Sequence, residues 1–308
     1  MKNLIAIDAQ DCDPNGYFTL GKEVWVVFDK QDELVGFEVI TRKRGGSIKL
    51  GPTFITPDKR GQGWAKIMIE TIVESYREAG ARKVYVTAPL SNAATAGLDL
   101  KHLELQLEAL LVDHYKLGST ERICGRFLHS KPKPPVTTLF AGYNTHSSVC
   151  CVSGFGQATQ KQIGALLYRS MQHDYEDVDD SFVRAVFAGA EQSRQAYEHK
   201  PKIVHTLFSA KQVVGAAIIA PKRGGTYKVA PFAIDPEFRS KESIRLLLDA
   251  CLHTAIRDSR SKLSLVVPVR DCNIVDSVLQ AGFYAEGILR SPYKEGSDMV
   301  ILSRKLAV

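Results

Sequence analysis

The chain has 308 residues, of which 44% are hydrophobic, 24% charged and 8% aromatic, and 40 Lys and Arg against 34 Asp and Glu leave a formal charge of +6. That composition suits one large globular domain or two ordinary ones and excludes collagen-like, disordered and secreted mini-protein classes. No apolar run reaches the roughly 18–20 residues that span a bilayer, and Met1–Gln10 meets Asp8 too early for the core of a signal peptide. The charge is spread along the chain, with 19 basic and 17 acidic residues up to Asn144 and 21 and 17 beyond it, which argues against a nucleic-acid-binding arm. Six cysteines (Cys12, Cys124, Cys150, Cys151, Cys251, Cys272) form no CxxC pair and no metal-ligand spacing, and the eight histidines show none either. Reduced thiols, no bound metal, no membrane contact and a cytoplasmic location are expected.

In chain order, alternating segments over Glu23–Phe28, Leu34–Ile40 and Ile48–Thr56 read as an antiparallel meander, the last two joined at Gly45-Gly46. A helix over Gly63–Ala79 follows, with an apolar stripe of Ile67, Ile69, Ile72, Val73 and Tyr76. Lys83–Ala88 reads as a buried strand parallel to its neighbour, because a helix connects them. A helical Lys101–Leu111 and a last helix ending in Lys116-Leu117-Gly118 are expected next, then strands over Glu121–His129 and Val136–Tyr143. After the polar Asn144–Ser148 come a strand (Val149–Gly154), helices over Thr159–Tyr175 and Asp180–His199, and a second meander over Ile203–Phe208, Val213–Ala220 and Tyr227–Ile234. The helix Ser243–Arg257, a strand over Leu263–Val267, a helix ending at Gly282 and closing strands over Tyr284–Arg290 and Met299–Lys305 complete the order.

The two series are copies of one another. Val35-Gly36, Lys43-Arg44-Gly45-Gly46, Lys49, Pro52, Ile55, Pro57, Arg60, Lys83 and Pro89 all recur 179 residues later, as Val214-Gly215, Lys222-Arg223-Gly224-Gly225, Lys228, Pro231, Ile234, Pro236, Arg239, Lys262 and Pro268. An ungapped register over more than fifty residues means two tandem domains, expected over 1–144 and 145–308. The first lacks room for the helical pair that precedes the second meander. It carries fifteen extra residues between Pro89 and Gly118.

Pro57-Asp58-Lys59-Arg60-Gly61-Gln62-Gly63-Trp64-Ala65 links a strand to a helix. Small residues at Gly61, Gly63 and Ala65 let the backbone turn closely, and a helix start offers unpaired N–H donors and about half a positive charge to a diphosphate. Arg60 and Lys59 add counter-charge. A tight turn with a solvated basic face is the structural alternative. A meander, then R-x-x-G-x-A opening a helix, then a buried strand and a helix closing on Leu-Gly resembles the GNAT acetyltransferase superfamily over nearly the whole chain, twice. Asn273–Phe283 is similar to that family's last-helix segment. The resemblance implies an α/β (α+β) fold of two GNAT-like domains, each a mixed, mostly antiparallel sheet flanked by helices. It implies acetyl-CoA, or another acyl-CoA, as co-substrate. The pantetheine arm would lie along Phe54, Ile55 and Thr56. The diphosphate would lie on the amides of Gly61, Gln62, Gly63, Trp64, Ala65 and Lys66 with Arg60 beside it, and Asn92 has a cofactor-facing counterpart in many members.

The second copy departs at the decisive place. Arg239-Ser240-Lys241-Glu242-Ser243-Ile244 sets Glu242 where the central glycine belongs and Ile244 where a small residue belongs. Charge and volume there oppose a diphosphate, so catalysis is expected in the first domain, with the second structural or acceptor-shaping. Neutralising a lysine-like acceptor amine at pH 7 costs about 4–5 kcal/mol, so a general base has work to do. The third strand, where the family often carries its carboxylate, has no acid. Glu38 on the neighbouring strand is the nearest candidate, a paired strand-face glutamate being the alternative reading. For the thiolate's proton, Tyr115 has the family's chemistry and His114 its spacing. The acceptor is expected to be an amine on a small molecule, a peptide or a protein, and a dimer is left open. A mycothiol-synthase-like tandem GNAT enzyme acting on a cysteinyl amine, and a non-catalytic CoA sensor, are the competing readings.

Overall fold

The computed structural model of the chain describes residues 3–8, 22–91, 103–129, 148–156, 158–176, 178–180, 182–184 and 202–307. The chain divides into two compact units, Met1–Glu108 with Thr120–Pro132, and Ala109–Ser119 with Lys133–Val308. Each is a mixed α+β unit built on a mostly antiparallel sheet.

In the first unit, β1 (Asn3–Asp8), β2 (Lys22–Phe28), β3 (Leu34–Lys43) and β4 (Ser47–Ile55) pair antiparallel in sequence order. Helix α1 (Trp64–Glu78) crosses over, so β5 (Lys83–Pro89) returns parallel to β4. β7 (Thr120–Phe127) pairs antiparallel with β5. Met68, Ile69, Ile72, Val73 and Tyr76 form the buried face of α1, against Ile40, Ile48, Leu50, Val84 and Val86 of the sheet. Fully burying one such side chain is worth about 1.5–3 kcal/mol. Met68 takes the place expected for Ile67, which is 41% exposed.

Two expectations fail here, one at the end of this unit and one in the Ala109–Ser119 segment of the other. The segment expected to be helical is a strand, β6 (Gln106–Val112), and Lys116-Leu117-Gly118 belongs to the turn before β7 rather than to a helix end. Leu103, Leu105, Ala109 and Leu111 are buried while Leu107 is exposed, a broken period of two that a leucine-rich stretch conceals behind its helix propensity. Glu108 breaks the alternation because it is drawn inward. Lys83 donates to both of its carboxylate oxygens at 2.8 Å, with both side chains at most 2% exposed. Gly125 leaves room for the pair, since a Cβ there would sit 2.9 Å from Lys83 Cε. The strand expected over Val136–Tyr143 and most of the helix expected over Asp180–His199 lie outside the described residues.

In the second unit the strand order is β13 (Tyr284–Leu289), β14 (Met299–Lys305), β12 (Lys262–Pro268), β11 (Thr226–Ile234), β10 (Gln212–Pro221), β9 (Ile203–Ser209) and β8 (Cys150–Ser153). The β11–β12 pair is parallel, with α3 (Lys241–Arg257) as its crossover. Helix α4 (Cys272–Gln280) packs with α3 on the core around Leu247, Leu248, Leu265 and Leu302. Helix α2 (Gln160–Met171) is capped by Thr159 and Gln162 in a reciprocal box, and buries Ile163, Leu166 and Leu167 with Ala216 and Ala233.

The 179-residue offset reaches the hydrogen bonds. Arg60 Nε donates to Ile55 O at 3.0 Å, and Arg239 Nε to Ile234 O at 3.1 Å. Thr56 N donates to Val35 O, and Asp235 N to Val214 O. The β3–β4 register slips between Glu38 and Ile40, and the β10–β11 register between Ala217 and Ile219. Lys262 is buried on Glu286 at 2.6 Å, as Lys83 is on Glu108. Segment Ala109–Ser119 is fastened within the second unit: Val112 N donates to Glu286 Oε1, Lys262 Nζ donates to Val112 O, and Asp113 pairs with Lys305 at 2.7 Å.

Glu108→Ala strands a buried ammonium. We expect it to lower the stability of the first unit by about 3–5 kcal/mol in urea unfolding, with the double change Lys83→Met and Glu108→Leu costing less than the single one.

Candidate active site

The site is a wedge where two parallel strands part. β4 pairs with β5 only from Ser47↔Lys83 to Leu50↔Val86. Beyond that point β4 stays on β3 as far as Gly36↔Ile55, while β5 stays on β7 as far as Pro89↔Glu121. The parting begins at a bulge: Glu38 faces Thr53 and Ile40 faces Leu50, so Gly51 and Pro52 together oppose Val39. Pro52 has no N–H to give to a ladder, which places the irregularity there. Pro52, Thr53 and Phe54 are exposed, and Phe54 stacks on Phe37 at 5.4 Å. The strand leads through Thr56 into the single turn Pro57–Lys59 and then to α1. Thr56 Oγ1 is buried and has no hydrogen-bond partner among the described residues.

At the mouth of α1 the backbone is bare. Gly61 and Gly63 have φ of +76° and +82°, values that β-carbon-bearing residues adopt only under strain, and a Cβ at either would meet nothing among the described residues within 4 Å. Gly63 is the N-cap and supplies no side chain to the first-turn amides. Gln62 is turned back, its Nε2 donating to Asp58 O at 2.9 Å. Trp64 Nε1 reaches Gln62 Oε1 at 3.4 Å, Ala65 is half-buried, and the exposed Lys66 lies 3.8 Å from Glu70. Open donors, a positive helix end and space beside them fit an anion. Arg60 is exposed beside them. Lys59 is not available as expected: its ammonium lies 2.8 Å from Asp29, 3.5 Å from Glu33 and 4.0 Å from Asp58, and the hydrogen bond to Asp29 raises its pKa while lowering that of Asp29.

The equivalent place in the second unit is built differently. α3 begins two positions earlier in the repeat, at Lys241, because Ser240, Lys241 and Glu242 stand where Gly61, Gln62 and Gly63 hold the first chain out of helical geometry. Ser240 Oγ accepts from Ser243 N at 3.0 Å, so the helix satisfies its own donor. The wedge is closed off from solvent, with a small pocket left inside it between Met171, Tyr175, Phe232, Pro268 and Asp271. Phe232, Ala233 and Ile234 are buried, as are Val266, Val267 and Pro268. Arg239, the counterpart of Arg60, is buried in an ion pair with Asp271 at 2.8 Å.

Matched against protein-family models, residues 6–98 fit the acetyltransferase (GNAT) family. The match is confined to this stretch. It contains the wedge and the glycine turn. No protein of curated function matches the sequence. Among solved structures, a GNAT-family protein from Desulfovibrio desulfuricans is 16% identical over 52% of this chain and all of that one, with a TM-score of 0.43. The spermidine/spermine N-acetyltransferase SpeG from Vibrio cholerae is 17% identical over 35% of this chain and 66% of its own, with a TM-score of 0.33. A nourseothricin acetyltransferase is 18% identical over 36% and 67%, with a TM-score of 0.31.

The expected catalytic residues are scattered. Glu38 is fully buried on the core face of β3, opposite Thr53 and Trp25. His114 and Tyr115 lie in the second unit's Ala109–Ser119 segment, not on a helix. Their rings meet edge to face at 4.4 Å, Thr226 Oγ1 donates to His114 O at 3.1 Å, and Tyr115 is 40% exposed. Asn92 lies outside the described residues. Sequence reasoning missed the orphaned Thr56 hydroxyl and the diversion of Lys59. Asp29, the first residue after β2 and thirty positions from Lys59, was the available signal.

Ser240→Ala removes the cap of α3. It is expected to cost about 1 kcal/mol of stability in thermal unfolding and to leave any ligand affinity of the Gly61–Gly63 turn unchanged.

Proposed function

We propose that this chain is a tandem GNAT protein and an acyl-CoA-dependent N-acyltransferase, using acetyl-CoA or a related thioester, with its binding site in the first unit. The observation that carries the reading is the pairing of an open strand wedge with a bare, positively directed helix start at its end. The family match over residues 6–98 supports the class of reaction. Phe54, Ile55 and Thr56 would hold a pantetheine arm along the unpaired stretch of β4, and the backbone from Gly61 to Lys66, with the Arg60 side chain beside it, would hold the diphosphate. Two adjacent features, a strand edge and a helix mouth, match the two chemically different halves of such a ligand. The acceptor is an amine on a small molecule, a peptide or a protein. The second unit is a second copy in which Ser240 caps the counterpart helix start and Arg239 is buried on Asp271.

The chemistry needs three groups. The thioester carbonyl is polarised by backbone N–H at the bulge of β4, the kind of preorganised donor worth about 3–4 kcal/mol in acyl transfer. Glu38, opposite Thr53 at that bulge, is the carboxylate assigned to accept the amine's proton. Being fully buried, it would act through water rather than by touching the acceptor. For the leaving thiolate the resemblance offers Tyr115 and His114, but both belong to a turn of the second unit, so the proton donor is not assigned to either.

Calorimetry of the full chain with CoA tests the reading. Gly63→Glu, which installs the second unit's residue, is expected to weaken binding at least tenfold. Gly63→Asn, which tolerates the positive φ, should keep affinity within about threefold. Equal loss in both would assign the effect to backbone strain, and unchanged affinity in Gly63→Glu would move the ligand elsewhere. Thiol release from acetyl-CoA in the presence of polyamines, amino sugars and peptides separates an enzyme from a sensor.

A further inference from the structure

We infer that Asp29 and Lys59 form a positioning strut for the glycine turn, and that Lys59 acts on a bound diphosphate only through Asp29 and the backbone it fixes. The inference rests on the acyl-CoA reading for its functional consequence, but its structural basis is independent of any ligand.

Asp29 divides its carboxylate between two tasks. Oδ1 accepts from Gln31 N at 2.9 Å and from Glu33 N at 3.0 Å, closing the turn between β2 and β3. Oδ2 accepts from Lys59 Nζ at 2.8 Å. Asp29 is 7% exposed, so this bond lies at the edge of the core rather than in open solvent. Lys59 closes the single turn after Thr56, its own N–H donating to Thr56 O at 3.0 Å. It therefore sits in the backbone between the strand that would hold pantetheine and the glycines that would hold the diphosphate. Gly61 and Gly63 have no side chains with which to hold the turn, and ordering a residue costs about 1–2 kcal/mol of backbone entropy. A fixed point at Lys59 meets that cost before a ligand arrives.

Two observations set this against a phosphate-binding lysine. Asp29, Glu33 and Asp58 all face the ammonium, so its local field is acidic. The second unit, which has no glycine turn, has no strut either. Pairing of Phe28 with Leu34 and of Phe208 with Val213 makes Ser209 the counterpart of Asp29. The counterpart of Lys59 is Phe238, which packs on the apolar core.

The two roles for Lys59 predict opposite signs for Asp29→Asn. An asparagine keeps the Oδ1 acceptor for Gln31 and Glu33 while losing the charge that holds Lys59. If Lys59 is a strut, Asp29→Asn and Lys59→Met each weaken CoA binding about tenfold in calorimetry of the full chain, and the double variant is no weaker than the worse single one. Asp29→Glu should keep affinity within about threefold. If Lys59 were a phosphate ligand restrained by Asp29, Asp29→Asn would tighten binding and Lys59→Met alone would weaken it, which overturns the inference, as would additive losses. Amide hydrogen exchange without ligand gives the second readout. Exchange over Arg60–Ala65 is expected to speed up at least fivefold in Asp29→Asn, while α1 beyond Met68 is unchanged. No change at Arg60–Ala65 overturns the strut whatever CoA does. A wild-type chain that gives no heat with CoA, yet shows this exchange difference, overturns the acyl-CoA reading and leaves the strut standing.

Discussion

Two neighbouring parallel strands that stop sharing hydrogen bonds halfway along create a requirement that the rest of the first unit answers. After Leu50 and Val86 the inner edges of β4 and β5 no longer pair with each other, although each keeps its outer partner. Backbone donors and acceptors freed in this way must meet solvent, a ligand or a covering element. In the first unit the freed stretch of β4 is exposed at Pro52–Phe54. In the second, buried apolar residues and the end of α2 cover the corresponding place and leave a small pocket beneath them. The same frame thus supports an open and a covered version, and the difference is made by a few side chains rather than by a change of topology.

The helix starts follow the same logic. A helix has four amides with nothing to bind at its beginning, and the two units dispose of them in opposite ways. Gly61 and Gly63, at positive φ, keep their turn out of the helix and give the first-turn amides no side-chain acceptor. Ser240 and Glu242 allow the helix to begin earlier and let Ser240 satisfy a donor internally. A site for an anion and a finished helix cap are alternative uses of one set of N–H groups.

Both units also bury a lysine on a glutamate, Lys83 on Glu108 and Lys262 on Glu286, each on the strand after the crossover helix. For Lys262 burial pulls the ammonium's pKa down while Glu286 pulls it back. The pairs fix registers: Glu286 takes up Val112 N as well as Lys262, which holds the Ala109–Ser119 segment in the second unit. Tyr76, on the buried face of α1, donates to Glu23 at 2.6 Å, and burial raises its pKa to about 12, so it remains a neutral donor well above neutral pH.

Much of this was legible in the chain itself. The 179-residue recurrence, the meander, the crossover helix and the strands around it all follow from apolar periodicity and from glycine and proline at turns, which act over a few neighbouring residues. The contrast between Gly61–Gly63 and Ser240–Glu242 was legible for the same reason, since positive φ and side-chain capping are local properties. The strand at Gln106–Val112 was not. Its leucines suit either period, and burial of Glu108 depends on Lys83, twenty-five positions away and two strands over. Nor could the fate of Lys59 be read, because a basic residue beside a glycine turn is ambiguous until a carboxylate is placed next to it. Local composition determined which elements form and which turn can cradle an anion. Only folding decided which charges meet, because electrostatic pairing depends on distance in space and the sequence records only distance along the chain.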